Sequence, residues 1–459
     1  MVATASAALI TQTIEQHRPD LAPLQELYKH LHRNPELSNQ ERETAATIAA
    51  RLRALSPDFV IKTGIGGHGV AAVLRRGKNG GNEGPTVLLR ADIDALPVEE
   101  RTGLPYASTR RMRDAQTGVD KAVMHACGHD MHITTLLGSA ALLVSAAAAG
   151  VWSGTLVLVF QPAEERGTGA RDMVADGLYD PRRHKVPVPD VVLGAHVVPA
   201  RTGTVGSRRG LIATSADSMR ITLHGRGAHA SMPHVGIDPV VMGASAVLRL
   251  QTVVAREVDP YADSAVVTVA SFHAGDAENV IPDSARLSVD VRAVSQGTRE
   301  RVLRRVREVV RCECAASNAP REPEFETTRE FPTTINDDAV TAQLEKCFAA
   351  HFGGDNNHNN NDGYKITYNA EVPRVGMSED FGVLGSAVGR PYCFWLYGGT
   401  DGAVWDHAER EGRVGEDVPI NHSAYFAPAI MPTLRVGLDA YAVAALTFLG
   451  RGEGVEWGV

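Results

Sequence analysis

Four short polar segments carry the residue types of a metal centre. Cys127 and His129 sit two apart in HACGHD (125–130), Glu164 and Glu165 adjoin in QPAEE (161–165), His196 ends GAH (194–196), and His422 opens HSAYF. Thiolate, imidazole and carboxylate are donors for divalent transition metals. Cys127, His129, Glu165, His196 and His422 supply more ligands than one catalytic ion takes while keeping an open position. With a bridging thiolate and a bridging water the same set serves two ions about 3.5–4 Å apart. A carboxylate bound to metal loses basicity, so one glutamate of the pair is the ligand and its neighbour the general base. Glu164 is taken as base and Glu165 as ligand; spacing alone permits the reverse.

Elements that end at one address must position these groups. RADID (90–94) follows TVLL, QPAEE follows LVLVF, and GAH ends VVL, which puts three clusters at the carboxyl ends of apolar strands. Open α/β sheets bind ligands there. HACGHD sits just before an Ala/Leu-rich helix. Leu24, Leu27, Tyr28 and Leu31 fall at helical spacing, and Ser38 with Glu41 three residues on predicts a capping box opening a second helix. Strands at 69–75, 86–91 and 191–196 alternate with helices, the pattern of an α/β sheet. From about Thr204 the order becomes strand, helix (Pro239–Ala255), two strands, helix (Thr298–Cys312) and a strand near Glu324, as in a ferredoxin-like insert. The expected organisation is a catalytic domain at 1–204 and 329–459 with a mainly parallel sheet, split by an inserted α+β lid at 205–328. GIGGHG (64–69) precedes a strand instead of opening a helix, so it reads as a turn and not a phosphate loop. DNNHNNND (355–362) and the Gly/Asn/Lys stretch before Pro85 read as polar loops.

The ordered series HRNPELS, RADIDALP, HACGHD, QPAEE, GAH, HGRGAHA, NVIPD, SEDF and the late His422 resembles the metallopeptidase family of aminoacylase-like amidohydrolases. The branch is that of hippurate hydrolases, N-acyl-amino-acid amidohydrolases and auxin-conjugate hydrolases, and the resemblance runs over about residues 21 to 449. It implies a di-metal catalytic domain with a lid that mediates dimerisation, acting on N-acyl-L-amino acids. Motif by motif it gives Cys127, His129, Glu165, His196 and His422 as ligands and Glu164 as acid/base, which settles the order of the glutamates. It also implies that Asp94 supports a metal-site histidine, although Asp92 stands two residues earlier. In the lid, His229 of HGRGAHA matches a histidine that polarises the scissile carbonyl, and Asn279 of NVIPD a substrate-binding asparagine. Arg292, on the strand ending VDVR, is a further candidate for holding the substrate carboxylate. The sequence departs from the common pattern at SNQE after HRNPEL and in the Asn-rich run.

The expected reaction has Glu164 take a proton from a water activated between two cations and return it to the departing amine, with His229 stabilising the oxyanion. Two divalent ions, one thiolate, one carboxylate and one hydroxide sum to about +1, which favours an anionic substrate. The thiolate favours zinc, and the resemblance implies that manganese, cobalt or nickel is also compatible.

Composition narrows the alternatives. The 459 residues are 44% apolar and 22% charged, and 46 basic against 54 acidic residues give a net charge of −8. That balance argues against nucleic acid or an anionic membrane as the main partner. Five cysteines form no even framework, and no signal-peptide pattern opens the chain, so a cytoplasmic location is expected. The uncharged stretch from Ile133 to Ala163 reads as a buried helix, a turn and a strand rather than a membrane span. His30, His32 and His68 read as structural, and His125 and His132 as hydrogen-bonding support. Cys312 and Cys314, two apart on a helix, diverge by ~200° and cannot close one metal site. Rival functions are a dipeptidase or exopeptidase of the same fold, a cysteine hydrolase with Cys127 as nucleophile, and a metal-stabilised binding protein.

Overall fold

The computed structural model describes residues 6–77, 84–353 and 363–449. The Asn-rich run at 355–362 and most of the polar stretch before Pro85 lie outside them. The chain divides into two compact units. One takes the residues up to Ile212, Ile335–Pro373 and those from Asp380 on; the other takes Ala213–Thr334 and Arg374–Glu379.

The first unit is built on an eight-stranded sheet in the order Val60–Ile65, Gly69–Arg76, Gly154–Gln161, Thr86–Asp92, Val191–Arg201, Tyr392–Thr400, Thr204–Gly206, Thr367–Asn369. The middle four strands run parallel to one another, and the first three strands in that order pair antiparallel. Thr86–Asp92 and Gly154–Gln161 are buried along their whole length. Both faces are therefore covered, which is why they read as continuous apolar runs without alternation. The helices His129–Ala148 and Ile430–Phe448 pack against each other and against the sheet. Among the described residues His129–Ala148 is the one helix long and apolar enough to cross a membrane, and it is mostly buried inside the unit. Its neighbour is buried from Pro432 through Phe448. Within the segment 64–69, residues 66–68 form the turn between the first two strands.

One expectation fails at the amino end. The helix after HRNPELS runs Arg42–Leu55, and neither Ser38 nor Glu41 caps it by its side chain. Both side chains are drawn to the sheet's carboxyl edge instead.

The second unit is a four-stranded antiparallel sheet in the order Ala265–Ala274, Ser284–Ala293, Ser215–His224, Glu324–Phe331, with helices Pro239–Glu257 and Gln296–Ala316. Its chain order is β-α-β-β-α-β, the ferredoxin-like arrangement. Asp238 caps the first helix at Val240 N–H with Pro239 in its first turn, and Ser295 caps the second at Thr298 N–H. Arg299 ties the second helix to the sheet by a bidentate pair with Asp217, at 2.8 and 2.7 Å, and a bond to Glu330.

Candidate active site

Gly128 lies between the first two candidate ligands and forms the amino-terminal cap of His129–Ala148 at φ 83°, in the left-handed region. A Cβ there would stand 2.5 Å from Val197 Cγ1. The bare backbone lets the chain turn between Cys127 and His129 while pressed against the strand that carries His196.

All five candidate ligands belong to the first unit, and the fold brings them together. Cys127 Sγ lies 3.4 Å from His196 Nε2. Cys127, His129 and Glu165 offer ligand atoms within 4.8 Å of one another. Glu165 Oε1 is 3.8 Å from His129 Nε2 and 3.3 Å from His422 Nε2. Cys127 and His129 are thus central, each within reach of His196 and of Glu165, while His422 meets the cluster at Glu165. His422 is the most exposed of the five. Its backbone N–H is tied to Ala126 O at 2.8 Å, and it too is left-handed, at φ 72°.

Hydrogen bonds fix which ring nitrogen each histidine presents. His129 Nδ1 donates to Asp94 O (2.9 Å) and His196 Nδ1 donates to Val197 O (2.6 Å), which turns Nε2 of both rings toward the cluster. His129 Nε2 and Glu165 Oε1 are buried with no hydrogen-bond partner. Buried polar atoms left in that state are costly unless something ligates them, so this donor set fits divalent cations. The charges agree. Burial, with the carboxylates of Glu165, Glu164 and Asp92, pushes the Cys127 thiol well above its ordinary range. Burial disfavours charged His129, but Asp92 and Asp94 outweigh it and raise this ring to about 10. The cluster is rich in negative charge and short of the positive charge that cations supply.

Glu164 and Glu165 open the short turn Glu164–Arg166 after Ala163, itself left-handed at φ 50°. Glu164 is buried, with Oε2 4.0 Å from His129 Nε2. Asp94 touches both neighbouring ligands: its carbonyl holds His129, and its Oδ2 accepts Glu165 N–H (3.0 Å) and Ser38 O–H (2.7 Å).

Several participants went unassigned in the sequence. Asp92 accepts from Arg90 (2.8 Å) and from His132 Nδ1 (2.5 Å), and His132 Nε2 in turn accepts Val197 N–H beside His196. His132 is therefore spent on support. Arg90 also bonds Gln161, and Gln161 bonds Asp380, whose carboxyl burial raises to about 6. An arginine and a glutamine in apolar strand sequence were the available signal. Asn421 Nδ2 donates to the carbonyls of Cys127 and Val197, both at 3.3 Å, next to His422.

The remaining candidates belong to the second unit. His229 pairs with Val280 in a two-stranded ribbon, and Asn279 O accepts Ala230 N–H at 2.9 Å, so the two residues share one small element. His229 Nδ1 accepts Ser231 N–H (3.1 Å), which places the proton of the neutral ring on Nε2 of an exposed side chain. Arg292 Nε is 3.1 Å from Asp290, and its Nη1 bonds Gly376 O and Ser378 Oγ.

Comparison with known proteins bears on this arrangement. A model of the peptidase family M20/M25/M40 matches residues 88–411. The N-acetyl-L-cysteine deacetylase of Bacillus subtilis is 37% identical over 327 residues, 70% of this chain and 71% of the relative. Thermostable carboxypeptidase 1 of Saccharolobus solfataricus is 32% identical over 92% of this chain and 94% of its own. Among solved structures, the YXEP protein of B. subtilis, a dinuclear metal binding peptidase, superposes with a TM-score of 0.66 at 27% identity, over 96% of this chain and 99% of that one.

Proposed function

Because the chain belongs to the peptidase family M20/M25/M40, we propose that it is a metal-dependent amidohydrolase that cleaves N-acyl-L-amino acids into a carboxylic acid and a free amino acid. The observation that carries this reading is the cluster in which Cys127 stands between His196 and Glu165, with Glu164 Oε2 4.0 Å from His129 Nε2. The name of the deacetylase relative supports an acyl substituent on nitrogen.

Cys127, His129, Glu165, His196 and His422 would hold two divalent ions, zinc or manganese. Such ions would supply Lewis-acid chemistry there, lowering the pKa of a water and polarising a carbonyl. Glu164 takes the water's proton and delivers it to the amide nitrogen as the C–N bond breaks. Asp94 keeps His129 and Glu165 in register. His229 of the second unit, with its proton on Nε2, is the candidate oxyanion donor carried over from the motif HGRGAHA. Asn279 and Arg292 take the substrate's polar groups, Arg292 by exchanging its present partners for a carboxylate.

A second reading, a carboxypeptidase or dipeptidase, is favoured by the named activity of the archaeal relative. Both readings share the same machinery, so substrates decide between them. The test is release of free amine from N-acetyl and N-benzoyl amino acids and from dipeptides, with protein loaded with zinc or manganese. Faster turnover of the acyl amino acids is expected, with loss of activity on chelation and roughly 10²- to 10⁴-fold loss of kcat in E164Q. Activity surviving complete metal removal would overturn the proposal in favour of Cys127 as nucleophile.

The chain is also proposed to dimerise through the second unit. Its edge strand Ala265–Ala274 exposes Val266 and Phe272, and the adjoining helix Pro239–Glu257 exposes Val241 and Leu248. Five unpaired cysteines suit a cytoplasmic location.

A further inference from the structure

In HRNPELSNQE the side chains of Ser38 and Glu41 do not cap the helix they precede. Ser38 goes to Asp94. Glu41, fully buried, places Oε1 where it accepts two backbone N–H groups, from Asn39 at 2.7 Å and from Ala163 at 2.9 Å. Its Oε2 is buried with no partner. Ala163 is the left-handed residue immediately before Glu164, a conformation that side chains other than glycine rarely take. On the other side of Glu164, the N–H of Glu165 goes to Asp94. Two buried carboxyl groups therefore grip the backbone at both shoulders of Glu164. The grip crosses 122 positions of sequence on the Glu41 side and 71 on the Asp94 side.

We propose that Glu41 is a positioning residue for Glu164: by holding Ala163 N–H it fixes the left-handed turn that aims the Glu164 carboxyl into the metal centre. The inference rests on Glu164 being the general base. Glu41 holds the backbone of Asn39 and Ala163 rather than a candidate ligand, so its part is played through the turn. Burial, with the Asp94 charge adding to it, raises the Glu41 carboxyl to about 8, so near neutral pH the acceptor is a carboxylic acid. Glutamine has the same shape, keeps the acceptor oxygen, and sets an N–H2 in the field of Asp94. Alanine removes the acceptor. Aspartate keeps the acid but withdraws it by one methylene.

The experiment compares E41A, E41D and E41Q with the wild type, each loaded with metal. It reads metal content, folded fraction, kcat, KM and the pH profile of kcat on the best substrate from the panel. Displacing a catalytic group by about 1 Å costs roughly 10²-fold in rate. The expected result is a fall of about that size in kcat for E41A, with unchanged KM and two metals per chain, a partial fall for E41D, and recovery of most of the loss in E41Q. The limb of the kcat profile that reports the base is expected to move in E41A and return in E41Q. The proposal is overturned if E41A keeps wild-type kcat, or if every loss merely follows metal content or folded fraction. If E41A does not fold, the other pair decides: E41D impaired with E41Q active supports the proposal, and equal activity of the two overturns it. E164Q separates the two levels. An active E164Q removes the reading of Glu164 as base, whereas an inactive E164Q beside a fully active E41A removes Glu41 alone.

Discussion

At the scale of single residues, the site depends on side chains whose hydrogen bonds leave one atom over for a metal. C127S is expected to hold fewer than two metals per chain and to lose amidase activity, read by metal analysis of purified protein. Cys393, buried beside Thr341 away from the cluster, serves as the control, and C393S is expected to keep its metal. The Asp94 carboxylate accepts Glu165 N–H and stands 3.3 Å from His129 Nδ1, so D94A is expected to weaken metal binding by about 10–100-fold in competition with a chelating dye. The candidate ligands were legible in the sequence because each stands in a short motif next to an apolar strand or helix. Asp92, Arg90 and Glu41 were not. Arg90 showed only as a charge inside apolar strand sequence, and the long-range partners that give the three their roles lie 40, 71 and 122 positions away. Ser38 and Glu41 even matched a local motif, the capping box, that tertiary contacts overrode.

At the scale of elements, the amino end of His129–Ala148 must be both tightly turned and anchored. G128A adds a Cβ in a left-handed position and against Val197, so it is expected to lower the thermal midpoint and to retain less metal, as seen by calorimetry and metal analysis. The anchor is His32, buried between Asp130 (2.6 Å) and Glu100 (3.0 Å). Burial disfavours its charge, but the two carboxylates win and raise it to about 9. A folded-state pKa above the unfolded value stabilises the protein fully below about 6.5, and the contribution is lost as pH rises through about 9. The gap in urea midpoint between wild type and H32N is therefore expected to narrow between pH 6.5 and 9.5. Sequence reasoning set His32 aside as structural, and it is so. What was hidden is that this structure holds the helix that begins with His129. The strands were easier to read: fully covered parallel strands show as unbroken apolar runs, and the second unit's βαββαβ order follows from period and spacing alone.

At the scale of the whole molecule, the proposed dimer and metal loading can both be measured. Replacing Leu248 and Val266 by charged residues is expected to shift the sedimentation coefficient toward the monomer while leaving metal content intact. Chelation is expected to lower the thermal midpoint of the wild type, since the cluster's negative charge then lacks its counterions, and added zinc or manganese to restore it. His422 lies 295 positions after Cys127, and the central strand Tyr392–Thr400 is also delivered late. During synthesis the ribosome therefore releases Cys127, His129, Glu165 and His196, and then the entire βαββαβ insert, before the last candidate ligand exists. The candidate set cannot be completed until translation is nearly over, and a message cut short upstream of that histidine also lacks the buried helix Ile430–Phe448, so its product is expected neither to fold nor to turn over.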